Sequence, residues 1–502
     1  RIGHTHISEL LSRAPGVWIS RGNGQEHLTA IRSGVLTGAG SCGAFYFAED
    51  GIPLRGPGFC NVNQLFDVNS EQAARIEVIR GPGTAVHGSN ALNGVINVVS
   101  RAPSETPETQ IAAEGGPNDY GRLKFSHSNT VGKHGYRISA HGSSDGGYKD
   151  DSGYDQQKLS LRHNYSGAVW SVQSLLSAAN LQQETAGYVL GKDAYKDDSR
   201  KRENPNPDAY RNSKNVRFYS RFERDGTQDS HFVVTPYLRY TDMSFLQHFL
   251  PGTPLEENGE RSVGVQTAFY QQSSDKLTLH NGFDMELSQA YLEQQQDSAG
   301  FGPFPQGKHY DYEVDARYFA WFVGGDYEVN DTTRLNFGGR YDIQFYDYDN
   351  RMISGNTADD GTPCATGNGA CRYARPDDQS ERFRNWSFHG GVVHQLNAHH
   401  RFTANLAHGF RAPQASELYR LQNQQLTSKL EEELLNSAEI GLRGEWQDFS
   451  YRSAVYWLQK DDVIIQDSNR QNINGGRTES RGLELEVNWA LTEQLLWRLQ
   501  GS

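Results

Sequence analysis

From about residue 105 onward, apolar and polar residues alternate in segments of roughly ten to twenty residues. Phe232, Val234, Leu238 and Tyr240 fall on one face of one such segment, and His231, Thr235, Tyr237 and Arg239 on the other. Leu335, Phe337 and Tyr341 oppose Arg334, Asn336, Arg340 and Asp342; Leu483, Leu485, Val487 and Trp489 oppose Glu484, Glu486 and Asn488. A period of two is the period of a strand. The strands of a soluble sandwich or propeller run nearer five or six residues. Longer segments, with Arg, Glu and Asp opposite an apolar face, fit a barrel that has lipid outside and a polar lumen.

The connections sharpen this reading. About 17 strands are predicted between residue 109 and the end. Short turns follow the even-numbered ones, near Gly132-Lys133, Ser166-Gly167, Asp225-Gly226, Ser274-Asp275, Asn330-Asp331, Asn397-Ala398, Gln447-Asp448 and Thr492-Glu493. Odd-numbered strands are mostly followed by long loops: Ser143–Ser152, Glu184–Arg211, Gln247–Glu260, Asp297–Lys308, Arg351–Ser380, Arg411–Asn423 and Asp467–Arg477. That rhythm is the anatomy of an outer-membrane barrel, with short periplasmic turns and long extracellular loops. The strands must close into a ring, because an open edge in lipid leaves backbone groups unpaired.

The first hundred residues read differently, as short strands and helices rich in Gly. Thr5–Ser12 is predicted as a short helix stopped by Pro15-Gly16. Ala30–Ser33, Ala44–Glu49 and Arg75–Arg80 are predicted strands, Asp50-Gly51 is a turn, and Val95–Ser100 is a closing strand. The expected division is an α+β domain over 1–103 and an all-β membrane barrel over 104–502.

Composition then narrows the function. The apolar run around Tyr318–Gly325 is about eight residues, well short of the ~18 a membrane helix needs. The formal charge of −13 makes nucleic acid an unsuitable partner. The four cysteines form two local pairs, Cys42/Cys60 and Cys364/Cys371, in loop-like stretches without zinc spacing, and are read as two disulfides. No metal or cofactor site is expected. "YDYDN" and "ADDGTP" lack calcium-loop spacing. His399-His400 reads as a solvated turn, and His4 and His6 lie near the chain start without metal spacing. No Ser-His-Asp arrangement can be assembled, so an enzyme is not expected.

Several strings resemble one family. "ELLSRAPGVWI" (Glu9–Ile19), "IRS" (Ile31–Ser33), "AEDGIPL" (Ala48–Leu54) and above all "RIEVIRGPGTAVHGSNALNGVINVVS" (Arg75–Ser100) resemble the plug domain of TonB-dependent outer-membrane receptors. Ser33 departs from the Gly usual there. "HGFRAPQASELY" (His408–Tyr419), "SAEIGLRG" (Ser437–Gly444) and "RGLELEV" (Arg481–Val487) look like strands of that family's barrel. The resemblance implies a plug inside a barrel of 22 strands, too wide to leave open. It places a TonB box before Arg1 and about five strands after Ser502. It also implies active import of a scarce ligand, powered by TonB with the ExbB–ExbD complex, through a monomer embedded in lipid and lipopolysaccharide.

By position in the motif, three plug apices, Arg21–Gln25, Thr37–Gly43 and Arg55–Asn61, are expected to face outward. Arg21, Ser41, Gly43, Arg55, Phe59 and Asn61 are the expected ligand contacts, and the Cys42–Cys60 pair would tie two apices together and preorganise them. Weaker barrel contacts are Phe301, Arg411 and Tyr419; the simpler reading of each is an ordinary loop residue. Cys364–Cys371 is expected to stiffen one loop tip. A ferric siderophore is the expected ligand, with cobalamin, a metal ion, haem or a carbohydrate as alternatives. "FRAP" lacks the element and the His that accompany it in haem receptors. A passive channel or surface barrel is the reading from another class.

Overall fold

The computed structural model describes residues 3–36, 38, 40–226, 230–300, 302–364, 371–422 and 425–502. Among these, seventeen strands, from Glu108–Gly115 to Leu495–Gly501, are arranged as a closed barrel in chain order. The strand number and the alternation of turns match the sequence expectation. Sequential neighbours pair antiparallel, as where Gly121–Val131 meets His134–Asp145 across Gly132-Lys133. An odd number of strands in up-and-down order leaves the first and last running the same way. Both are exposed along nearly all their length.

Three loop boundaries differ from expectation. The strand Leu255–Ser274 resumes five residues earlier than Glu260, the loop after Arg411 runs on to the strand Glu433–Glu445, and the strand Phe449–Asp461 ends before Asp467, the expected start of the last long loop. "LEENGE" is polar on both faces and so reads as loop. It lies near the long-loop end of its strand, where the outward face need not be apolar.

Alternation sorts the wall. Leu238, Val263, Trp321, Phe337, Leu406 and Leu483 are exposed on the outer face. Arg217, Arg239, Glu260, Glu286 and Arg340 are buried on the inner face. No helix among the described residues is long and apolar enough to cross a membrane; the strands do so instead.

The N-terminal part fills the lumen. Its four-stranded sheet runs Ile52–Pro53, Phe45–Glu49, Gly94–Val99, Arg75–Arg80, with only the central pair parallel. A hairpin of Val17–Arg21 and His27–Ile31 packs beside it, and the expected helix is confined to Ser8–Leu11. Asp50 and Gly51 both adopt positive φ at the corner of a hairpin, as the Asp-Gly signal requires. Ile31, Leu54, Leu65, Val68 and Ile96 form the apolar centre.

Because the plug meets a polar wall, charge pairing joins the two. Arg32 donates from Nε and Nη2 to both oxygens of Glu484 at 2.8 Å and pairs with Glu439 at 2.6 Å. Arg80 reaches the same Glu484 at 2.7 Å. The Arg32 guanidinium also stacks 4.2 Å from the Tyr456 ring centre. Gly16, at φ +73°, lies against Glu484, and any side chain there would collide with the carboxylate. Two plug cations thus meet two wall carboxylates, with Arg32 and Glu484 buried and Arg80 and Glu439 partly exposed. Neutralising Glu484 leaves the buried Arg32 with only the partly exposed Glu439 as a carboxylate partner. Glu484→Gln is expected to weaken plug docking by about 3 kcal/mol, seen as faster hydrogen exchange in plug residues 75–99, while the barrel keeps its heat resistance. Exchange unchanged from the parent would mean the cluster does not hold the plug.

Candidate functional site

The three plug apices meet the barrel at the ends of strands that carry long loops. In the first, the Gln25 amide donates to Gln183 Oε1 at 2.6 Å, and Arg211 Nε bonds Glu26 at 2.7 Å. Of the second, Thr37 and Ala39 lie outside the described residues. Its Gly40 carbonyl accepts from Arg411 Nη1 at 3.1 Å. The third reaches Tyr346: Gly58, at φ +95°, leaves no room for a side chain beside the Tyr346 hydroxyl, and the Ala415 amide donates to the Gly58 carbonyl at 3.0 Å. The Cys42–Cys60 disulfide joins the second and third apices, with Cα atoms 5.5 Å apart.

Each expected contact has a defined place. Arg21 is half exposed, 3.8 Å from Glu9. Ser41 donates to the Gly38 carbonyl at 2.7 Å. Gly43 is buried against Gln414. Phe59 packs on Tyr346, ring centres 6.2 Å apart. Asn61 Nδ2 bonds Met243 Sδ at 3.2 Å. Two arginines are engaged internally: Arg55 pairs with buried Asp67 at 2.8 Å, and Arg411 with Glu417 and Glu433 at 2.8 Å. Tyr419 is fully buried. Phe301 and the interior of the Cys364–Cys371 loop, residues 365–370, lie outside the described residues. Cys364 and Cys371 are bonded to each other.

Above the apices lies an aromatic cover, most of which the sequence did not reveal although Tyr419 was expected as a contact. Tyr310, Tyr312, Tyr346, Tyr348 and Phe383 point inward from strand ends and pack with Tyr373 and Tyr419 of the long loops. Phe59 of the plug touches this cluster from below. Tyr348 and Tyr419 stack with centres 4.3 Å apart, and both hydroxyls are buried without a hydrogen-bond partner. An orphaned buried hydroxyl costs about 1–3 kcal/mol. A ligand offering acceptors would recover it. Arg375, almost fully buried, anchors the loop by donating to the carbonyls of Ile353, His309 and Thr357 at 2.8–2.9 Å. A cavity of about 930 Å³ lies elsewhere, between the plug and the first and last barrel strands, lined by Leu10, Arg75, Lys124 and Leu499. It touches none of the apices.

His4 and His6, read as incidental to the chain start, are buried. His6 Nε2 hydrogen-bonds the Glu26 carbonyl at 3.0 Å and its ring meets His27 edge-on at 6.2 Å. Together they hold the segment before the first apex. Burial depresses both: His6 falls to about 4 and His27 to about 3. Both are therefore neutral when docked at pH 7. As pH falls below the usual 6.5, the released segment takes up protons that the docked one refuses, and docking weakens down to about pH 4. Protection over residues 3–12, from hydrogen exchange corrected for its intrinsic pH dependence, is expected to fall between pH 6.5 and 4, and to fall less in His6→Gln. A flat profile in the parent would contradict this.

A family model for the TonB-dependent receptor plug domain matches residues 1–95, and one for the TonB-dependent receptor-like β-barrel matches residues 108–502. Among solved structures, the ferric yersiniabactin uptake receptor FyuA from Yersinia pestis aligns with a TM-score of 0.77 at 16% identity, covering 98% of this chain and 75% of that one. The ferric citrate transporter FecA in its unliganded form aligns at 0.77 and 16%, covering 97% and 72%. The copper transporter OprC aligns at 0.74 and 14%, covering 97% and 74%. At these identities the likeness is one of fold.

Proposed function

Because this chain belongs to the TonB-dependent receptors, outer-membrane transport proteins built as a plug within a barrel, we propose that it captures a ferric siderophore at the outer face of its plug and passes it inward with energy from TonB and ExbB–ExbD. The observation that carries the ligand is the aromatic cover set directly on a disulfide-tied apex. A siderophore is an organic chelate with flat or hydrophobic arms and many oxygen acceptors. Aromatic rings receive the arms, and phenol hydroxyls such as those of Tyr348 and Tyr419 donate to the oxygens. Phe59 and Tyr346 supply the floor. Ser41, Asn61 and Arg21 are the plug groups in reach of further polar contacts once the cover opens. Arg55 and Arg411 act through other groups, holding the third apex and the second in place.

Energy coupling fits the same geometry. A plug segment that pairs as an added strand with TonB transmits tension without any covalent chemistry. Tension on the plug acts against the charge pairs that dock it, of which the Arg32 cluster is the most concentrated.

Growth on single iron sources, in a host where this receptor is the only one of its class, tests the ligand. Support by one ferric siderophore is expected. Growth restored only by cobalamin or zinc would overturn the siderophore while leaving the transport class. On the purified receptor, Cys42→Ser with Cys60→Ser is expected to weaken siderophore binding roughly tenfold through lost preorganisation, with the barrel's heat resistance intact. Tyr348→Phe with Tyr419→Phe is expected to have an effect of about the same size, from two lost donors. Affinities equal to the parent in both double variants would remove the cover and the apex from the binding site.

A further inference from the structure

One inward carboxylate near the long-loop end of the wall has no partner. On the strand Gln379–Gln395, Phe383 and Ser387 are buried while Trp386 and Phe388 are exposed, so the period of two turns Glu381 toward the lumen. Glu381 stands directly opposite Tyr346 on the neighbouring strand, a pairing that sets the two side chains about 5 Å apart at their first carbon. Tyr346 meets Phe383 edge-on with ring centres 5.9 Å apart. The Tyr419 hydroxyl, buried without a hydrogen-bond partner, is in electrostatic reach of the Glu381 carboxylate. Among the described residues Glu381 forms neither an ion pair nor a hydrogen bond. It is half-buried and so reachable from water, whereas the rings beside it are closed off.

The cations nearby are engaged elsewhere. Arg411 pairs with Glu417 and Glu433, Lys460 lies 3.6 Å from Glu433, and Arg420 pairs with Glu256 at 2.6 Å. Arg375 commits its donors to loop carbonyls and to the Thr357 hydroxyl. Asp359 and Asp378 are in electrostatic reach of the neighbouring Tyr373 and Tyr348. Arg372 lies over the Phe304 ring at 5.5 Å, and Lys429 is exposed. Residues 365–370 and 423–424, outside the described residues, include no charged side chain. Glu432 accepts from Asn385 Nδ2 at 3.0 Å, which leaves its charge in place beside that of Glu381. An aromatic cluster thus borders an uncompensated negative charge.

We infer that Glu381, with Tyr346, Phe383 and Tyr419, forms a cage for a protonated amine, and that the imported chelate carries one. This rests on the siderophore reading above and narrows it to a chelate with a cationic arm. An ammonium is attracted to the faces of aromatic rings, and more strongly once water is excluded. It has three donors and no acceptor, so it suits a carboxylate and a phenol oxygen and nothing that must itself donate. Glu381 supplies the counter-charge through a charge-assisted hydrogen bond, and the Tyr419 oxygen is free to accept another. The Tyr346 hydroxyl is already bonded to Gln344 and to the Pro413 carbonyl, which leaves its ring as the part it can offer. A neutral arm would leave the carboxylate without a partner beside the rings, and an anionic arm would be repelled by it.

Equilibrium dialysis of the purified receptor in detergent against chelates of radiolabelled ferric iron tests this. Hydroxamate, catecholate and carboxylate frameworks are each used in three forms: with a free primary amine, with that amine acetylated, and with it succinylated. For the framework that binds, the amine form is expected to bind at least about tenfold tighter than the acetylated form, with the succinylated form weakest. Glu381→Gln is expected to remove that order, and Glu381→Asp to keep part of it. Glu313→Gln should keep it whole, since Glu313 lies on the outer face and pairs with Arg351 at 2.6 Å. The heat-resistant mobility of the barrel should be the same in every variant. Equal affinity for the three forms in the parent, or an order that survives Glu381→Gln, would overturn the cage and leave the siderophore reading standing. Binding of no framework in any form would overturn the siderophore reading and the cage with it.

Discussion

The fold depends on a mismatch that has to be compensated. A wall whose strands alternate must present polar groups inward wherever it presents apolar groups to lipid. In a wide barrel those inward charges face a lumen, and a folded domain placed there must match them. Arg32 and Arg80 of the plug against Glu439 and Glu484 of the wall are the clearest instance. The pattern is repeated around the ring by Arg217 with Glu49, Lys158 with Glu71, and Tyr219 with Asp50. The plug is thus held by many polar contacts rather than by one greasy face. Such an interface can be tight and still separable, because water can replace each bond as the plug moves.

The same logic separates the plug's ends. Its middle is fixed by charge pairs to the wall, whereas its outer apices are fixed to one another by the Cys42–Cys60 disulfide and to the loops through Gly40 and Gly58. The aromatic cover rests on this tied tip. The cover therefore meets the plug first at the apices, through Phe59 against Tyr346. Arg375 contributes on the loop side: a buried guanidinium that satisfies itself on backbone carbonyls shapes the loop that carries Tyr373.

Much of this was legible in the residues. The period of two and the long–short rhythm located every barrel strand, because lipid on one side and lumen on the other leave no alternative patterning. The plug strings marked most of its strands, although the one expected at Ala30–Ser33 runs over His27–Ile31 and stops where Arg32 turns to positive φ, and the cysteine pairs were local enough to read. What the linear order hid was convergence. Arg32, Arg80, Glu439 and Glu484 each sit inside a recognised string, yet nothing in their spacing says that the four meet, since the contact spans 452 residues of sequence between Arg32 and Glu484. The aromatic cover was hidden for another reason. "YDYDN" drew attention as an acidic run; carried to the end of its strand, the period of two sends Tyr346 and Tyr348 inward and Asp347 and Asp349 outward. The tyrosines belong to the lumen and the aspartates to the membrane rim, two environments in one short string.

That division also explains why the ligand is harder to read than the class. The features that define the class are periodic or local, and physics repeats them from strand to strand. The groups that meet a ligand come from loop tips, where no period constrains the residues, and from strand ends that rise above the lipid. There the outward face is free to be charged, as at Arg261 and Asp315, and the inward face free to be aromatic, as at Tyr310 and Tyr312. Charged and aromatic groups are thus carried by the same few rungs, on opposite faces of the same strands.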